Sequence, residues 1–488
     1  MGLSILLIAA AAFAADQDLF DVYSLEVEGN IYDFVSGNFD DDGLTDLAII
    51  YSPLENPSGR YVGLYLQKGT DGFRPRADYL EPLPPSAVQI DIGDIDGDQM
   101  DEIVIIDAEG VSYIDYGAGT GLSRPIRLIN QNTVFAMPAF FGIVAEPFVS
   151  DIVANNTGPE IIVPVSDGFV LYGQNDNTGY KELARLDAGV YCRNDRLGIR
   201  NFSGKRNTSV TMELPRLNVL DGNGDNRRDI YLLWHQKVCV FFQNEAGGFS
   251  KSPDAAVSFF ADKPGGFLQS RLVDCNGDKR PDIAVSLTAG GITNTETTLR
   301  YYLADNSGII RNTQSREVNL SDSHCNLMIT DFNGDNIPEV VVPAIEMGAI
   351  AASKMFLLKK TDLHLLIYPM LNGLPAAEPD KRIEFEFRFD FEHPNPTGEI
   401  SINWEADYNH DVFRDAVFSD GNGRLLFFWG NTKDYLSRRP DLEIPLDHPA
   451  TVYPLHLNHG TLSDLVVEHN LTGRFDRLTI LKNRNNKL

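Results

Sequence analysis

Residues Asp331 to Ala344 read DFNGDNIPEVVVPA. Carboxylate or amide side chains stand at the first, third, fifth and ninth positions (Asp331, Asn333, Asp335 and Glu339), and an apolar β-branched run follows at once. Like charges so spaced repel unless something positive sits between them. Five other segments share the plan. NFDDDGLTDLAII carries Asn38, Asp40, Asp42 and Asp46; DIDGDQMDEIVII carries Asp94, Asp96, Asp98 and Glu102. DGNGDNRRDIYLL carries Asp221, Asn223, Asp225 and Asp229; DCNGDKRPDIAVS carries Asp274, Asn276, Asp278 and Asp282. DYNHDVFRDAVFS carries Asp407, Asn409, Asp411 and Asp415. Two weaker copies fill the gaps: DIVANNTGPEIIV from Asp151 has one extra residue, and HLNHGTLSDLVV from His456 keeps only Asn458 and Asp464.

The eight copies start 49 to 76 residues apart, a self-similar period that marks a repeat architecture. Each loop leads into one apolar strand (LAIIYS, IVIID, IAVSL), then a second (YVGLYLQKG, VCVFFQN, LLFFWGN), then a polar turn often written DGF or GGF. A third strand and a short entry strand complete the period. Four short strands per unit, repeated, describe an all-β fold, a β-propeller with eight four-stranded blades, or with seven as the alternative. The eighth unit ends at RLTILKNRNNKL without an outer strand, whereas LFDVYSLEVEG (Leu19 to Gly29) alternates apolar and polar and has no unit of its own. It is expected to complete the last blade and close the ring, so residues 16–488 form one domain.

Oxygen donors at positions 1, 3, 5 and 9, with a main-chain carbonyl near 7, form a cage suited to Ca²⁺ at about six sites. Gly43 supplies the sharp turn in the first copy. An EF-hand would need Glu at position 12 and flanking helices, so that reading fails. The loops, closest to pattern in DCNGDKRPD and DFNGDNIPE, resemble the D-x-N-G-D-x-x-P-D/E motif of FG-GAP or VCBS repeat proteins, whose propellers are similar to the integrin α-subunit head. The resemblance implies the propeller and calcium. It leaves function open, because such propellers serve adhesion, lectin-like binding, polysaccharide lyases and scaffolds.

The 488 residues carry a formal charge of −28 with 43% hydrophobic residues, enough apolar material for a large core and the wrong sign for nucleic acid. Residues 1–15 read as a secretory signal: an apolar core from Leu3 to Ala12 precedes Ala12-Phe13-Ala14, an A-x-A cleavage site. The protein is therefore expected to be secreted, periplasmic or at the cell surface. No apolar run in the mature chain is long enough to span a membrane. Cys192, Cys239, Cys275 and Cys325 could stay free or pair, and the sequence does not choose.

No nucleophile elbow, zinc helix, Walker loop or dinucleotide fingerprint occurs, so no catalytic residue is assigned. Four connections are longer than the fold needs: Ser52 to Arg60, Asn130 to Pro147, Asp187 to Pro215 and Ile345 to Asp362. One contains CRNDRLGIRNFSGKR, where Arg193, Arg196, Arg200, Lys205 and Arg206 face only Asp195. Planar guanidinium forks suit carboxylate or sulfate, which makes this segment the candidate anion or partner site. The leading expectation is a non-catalytic binding or adhesion module for a protein or glycan. The alternatives are a propeller-based polysaccharide lyase or hydrolase, and a structural subunit of a surface assembly.

Overall fold

The computed structural model describes residues 19–484 apart from 70–71, 136–142, 155–157, 176–178, 190, 201–205, 264, 291–294, 312–315, 322, 326–327, 336, 347–352, 355–356, 372–373, 389–401, 421–422, 447–449, 458–462 and 470–475. The proposed signal, residues 1–15, lies outside the described residues. Every named element is a strand. Eight sheets follow one another along the chain, each with four antiparallel strands, here A to D, in sequence order from the inside out, except that blade 8 takes its outer strand from the N-terminal segment. Blade 1, for example, runs Gly29–Gly37, Asp46–Pro53, Tyr61–Tyr65 and Tyr79–Pro82.

Strand B reads as an unbroken apolar run because neither of its faces meets water. Asp46–Pro53, Glu102–Asp107, Asp229–Trp234 and Asp282–Ala289 are buried along nearly their whole length. One face packs on the preceding blade and the other on the following blade, as in a sheet covered on both sides. The hydrophobic side chains accordingly fall into eight clusters, one at each seam between neighbouring blades. The seam between blades 1 and 2 joins Phe39, Ile50 and Leu64 to Ile90, Ile103 and Ile105.

The ring closes as the sequence suggests. Phe20–Glu26 pairs antiparallel with Arg477–Asn483, from Phe20 opposite Asn483 to Glu26 opposite Arg477, and forms the outer strand of blade 8. Phe20 and Leu25 are buried in the seams on either side of that blade.

A second device ties blade to blade, and it is not evident from the repeat pattern. At the end of strand C a side-chain amide donates to the carbonyl of the second loop residue in the preceding blade. Gln67 reaches Leu457 at 2.7 Å, Gln174 reaches Ile95 at 3.2 Å, Gln243 reaches Ile152 at 3.0 Å, and Asn483 reaches Tyr408 at 2.7 Å. Gln243 is 4% exposed, so removing its amide leaves a buried carbonyl without a donor. Such a loss costs about 1–3 kcal/mol. Gln243→Leu, close in size, is expected to lower the melting temperature by a few degrees with no change in circular dichroism. An unchanged melting temperature would show that the clamp contributes nothing.

The long connections take definite forms. The connection from blade 2 to blade 3 sends Val144–Ala145 alongside the inner strand Gln89–Gly93 in parallel, adding a fifth strand on the inner edge of blade 2. Two inner-strand aspartates hold it: Asp33 accepts from the Ala145 amide at 2.8 Å, and Asp91 accepts from those of Phe148 and Val149, both at 2.7 Å. Blade 3 is left with an inner strand of two residues, Val149–Ser150. The connection from blade 3 to blade 4 forms a separate hairpin, Tyr191–Arg200 with Arg206–Glu213. Cys239 and Cys275 are buried free thiols, while the side chains of Cys192 and Cys325 lie outside the described residues.

Candidate metal centres

The repeated loops join strands A and B, so they share one face of the ring with the connections from C to D. The second loop residue is usually apolar and buried, as with Phe39, Ile95, Phe332 and Tyr408, and anchors the loop in a seam. The loop then coils through backbone that only a few residues adopt easily. The fourth position has positive φ in all six full copies: Asp41 57°, Gly97 87°, Gly224 81°, Gly277 75°, Gly334 74° and His410 69°. This is the reason for the glycine of NGD. The sixth position repeats the conformation at Gly43 (75°), Gln99, Asn226, Lys279 and even the β-branched Val412 at 71°, a strained placement.

In this coil the first-position aspartate spends both oxygens on the backbone, and the third and fifth positions spend one each. In the second copy Asp94 accepts from Gly97 and Gln99 at 2.7 and 3.0 Å, Asp96 from Asp98 at 3.2 Å, and Asp98 from Met100 at 2.9 Å. The pattern recurs through Asp221, Asn223 and Asp225, and through Asp407, Asn409 and Asp411. The second oxygens of the third and fifth positions are left for another partner.

The ninth position does two jobs. Its carboxylate accepts from the amide of the second loop residue in all eight blades: Asp46 from Phe39, Glu102 from Ile95, Glu160 from Ile152, Asp229 from Gly222, Asp282 from Cys275, Glu339 from Phe332, Asp415 from Tyr408 and Asp464 from Leu457. Where it is Asp, its other oxygen takes an amide at the end of strand C, from Gln67, Gln243, Ala304, Gly430 or Asn483. The irregular third copy and the reduced eighth copy keep this anchor. The ninth carboxylate is therefore a fold requirement apart from any ion.

Glu102 differs. Its longer side chain gives Oε2 to Ile95 at 2.7 Å and leaves Oε1 buried without a donor. Asp94, Asp96 and Glu102 bring carboxylate oxygens within 4.8 Å of one another, the one such acidic group among the described residues. Burial, with the charges of Asp96, Asp98 and Asp94, pushes the Glu102 carboxyl up to about 8. A buried carboxylate oxygen with no donor beside two further carboxylates calls for a proton or a cation. The donor set is oxygen only, which suits a hard divalent ion.

The other full copies are less open. Arg227 pairs with Asp225, Arg280 lies 3.5 Å from Asp278, and Lys68 lies 3.2 Å from Asp40, so a protein cation already meets one carboxylate in three loops. In the loop from Asp331, Asn333 Nδ2 donates to Glu339 at 2.6 Å. In the loop from Asp407, Asn409 Nδ2 donates to Asp411 at 2.9 Å. Asp335 keeps its Ile337 bond at 2.7 Å, and Asp274 and Asn276 accept from Gly277 and Asp278 at 2.8 and 2.9 Å. Asn38 donates to Gln99 across the seam, and Asp42 accepts from Leu44. Burial likewise raises the carboxyls of Asp46, Asp282, Glu339 and Asp415 to about 7, and that of Asp229 to about 6.

Arg193, Arg196 and Arg200 lie on one strand of the hairpin between blades 3 and 4, and Arg206 lies on the other, opposite Arg200. Lys205 and the side chains of these arginines lie outside the described residues. The hairpin belongs to a connection from D to A, on the face opposite the loops.

The FG-GAP-like repeat pattern matches residues 38–105 and 274–342, each running from one full loop through the next. No curated protein matches the sequence. Among solved structures, a lectin from Agrocybe aegerita, described for its recognition of non-reducing terminal N-acetylglucosamine, aligns at 12% identity with a TM-score of 0.41, over 75% of this chain and 95% of the lectin. The chain carries FG-GAP-like repeats, set in an eight-bladed β-propeller.

Proposed function

We propose that the protein is an exported, calcium-stabilised propeller that binds a protein or glycan partner without transforming it. The observation that carries the calcium part is the acidic loop of blade 2, where the carboxylates of Asp94, Asp96 and Glu102 converge and Glu102 keeps a buried Oε1 without a donor. Calcium fixes the A–B turns, and the rigid ring presents the longer connections of the opposite face. On that face the Arg193 to Arg206 hairpin contributes a local positive field in an acidic chain and engages an anionic group of the partner.

The test is retention of cell-envelope components, and of acidic oligosaccharides, on the immobilised full chain. Retention is expected in calcium, is lost with chelator, and weakens with salt because exposed charges are screened. The variant carrying Arg193→Ser, Arg196→Ser and Arg200→Ser is expected to lose retention with unchanged melting and calcium content. Release of shortened or unsaturated saccharide products would replace this reading with a lyase or hydrolase. Equal retention by parent and variant would remove the hairpin from the binding surface.

A further inference from the structure

The face opposite the loops holds a cleft of about 340 Å³ at the mouth of the central channel. Its origin lies in blade 3. With an inner strand of only two residues, that blade leaves the channel wall open between blade 2 and blades 4 and 5. One wall is Gln89, at the start of the blade 2 inner strand, with Val144 and Glu146 of the added segment beside it. The other is Glu213 and Arg216, at the base of the hairpin, with His235 from the B–C turn of blade 4.

The walls are fixed by bonds that do not use up their polar atoms. Trp234 Nε1 donates to the Glu213 carbonyl at 3.1 Å, the His235 amide donates to Glu213 Oε1 at 2.9 Å, and Ser270 Oγ donates to the Trp234 carbonyl at 2.9 Å. Gln89 Nε2 donates to the Glu146 carbonyl at 3.1 Å. Gln89 is 6% exposed, and its Oε1 is buried with no donor. A buried acceptor left empty costs free energy, and because Gln89 lines the cleft, a small turn of its side chain on ligand entry brings Oε1 to a donor supplied from outside the chain.

The lining selects the chemistry of that donor. Acceptors are present in Glu146, Glu213 and Gln89 Oε1, and donors in Arg216 and His235. An anionic ligand would face two carboxylates, and an ammonium, which only donates, would face the Arg216 guanidinium. A hydroxyl both donates and accepts, and several on one small ring can meet both kinds of group. Val144, 44% exposed, offers an apolar surface for the C–H face of such a ring. The volume lies at the lower end of the range for small-molecule sites.

We infer that this channel-mouth cleft binds a neutral, hydroxyl-rich saccharide unit, with Gln89 Oε1 and the Glu146 and Glu213 carboxylates accepting from its hydroxyls. This rests on the reading of the protein as a binding module and gives it a second contact beside the arginine hairpin.

The experiment is saturation-transfer NMR on the full chain in calcium. The probes are methyl α-glucopyranoside, methyl α-mannopyranoside and methyl α-galactopyranoside, with ethanolamine and sulfate as the cationic and anionic contrasts. At least one glycoside is expected to show dose-dependent transfer, and Gln89→Met and Glu146→Gln are each expected to weaken its binding at least fivefold with unchanged melting. Glu146 is exposed, so Glu146→Gln reads the cleft even if Gln89→Met misfolds. No transfer to any glycoside, or equal binding by parent and Glu146→Gln, overturns the assignment. Binding of ethanolamine or sulfate that the same variants abolish overturns the ligand class. Calcium-dependent retention of envelope components that survives both variants, with no glycoside in the cleft, overturns this inference alone; loss of retention by the parent as well overturns the binding-module reading.

Discussion

Deletion of residues 19–26 is expected to drive the protein into aggregates. The segment contributes Phe20 and Leu25, 3% and 0% exposed, to the two seams that flank blade 8. Truncation of a buried Phe or Leu alone costs about 2–5 kcal/mol. The deletion also strips seven paired residues from Arg477–Asn483 and leaves that strand as an open edge. Unpaired edges recruit other chains. Light scattering and size-exclusion chromatography at rising concentration measure the effect, and a synthetic peptide of residues 19–26 added in excess should reduce it. A truncated protein that stays soluble and melts like the parent would show that the ring does not depend on this strand.

Calcium removal is expected to give the next largest change, and its size should depend on pH. Each occupied site stabilises the folded state by about 2.7 kcal/mol at a hundredfold excess over its Kd. In the calcium-free protein Glu102 and Asp46 hold protons up to about 8 and about 7, from ordinary values of 4.5 and 3.8. The folded state then keeps protons that the unfolded chain releases, so stability falls as pH rises from about 4 to about 8. Calcium holds the ionised form and removes that slope. The melting-temperature gain on adding calcium should therefore be larger at pH 8 than at pH 5.5. Asp96→Ala should lower calcium content more than Asp225→Ala, because Arg227 already neutralises Asp225. Equal losses in the two variants, or calcium-independent melting at pH 8, would count against the metal reading.

Much of the architecture was legible in the sequence because its determinants are local. A loop of fixed spacing followed by an apolar run identifies strand B wherever it occurs, and the unmatched alternation of Leu19 to Gly29 announces the closing strand. The properties of the site that depend on a neighbouring blade were not legible. Nothing around Gln243 announces that its amide crosses a seam to Ile152. The six full loops look equivalent on paper, yet Arg227, Arg280 and Lys68 meet carboxylates in three of them, and among the described loop residues Glu102 is the one carboxylate that leaves a buried oxygen without a donor. The ninth acid reads as a ligand, but its presence as Asp464 in the reduced eighth copy shows a separate duty to the backbone. The segment from Asn130 to Pro147 reads as a long loop because two residues of parallel strand, Val144–Ala145, carry no periodic signal.

The closing strand also sets a timetable. The bond from Arg484 to Asp21 joins residues 463 positions apart and Gln67 reaches Leu457 across the seam between blades 8 and 1, whereas the other seven seams join blades consecutive in the chain. During synthesis each seam can therefore form soon after its second blade emerges. Phe20–Glu26, which leaves the ribosome ahead of every blade, has no partner until the last blade arrives. At about 5–20 residues per second that wait is roughly 20–90 s. Through that interval the growing chain carries an unpaired strand with an apolar face, and the same chain on a neighbouring ribosome is the nearest source of a matching edge. The yield of closed rings should thus depend on how densely the message is translated, a property of this fold that no equilibrium measurement on the finished protein would reveal.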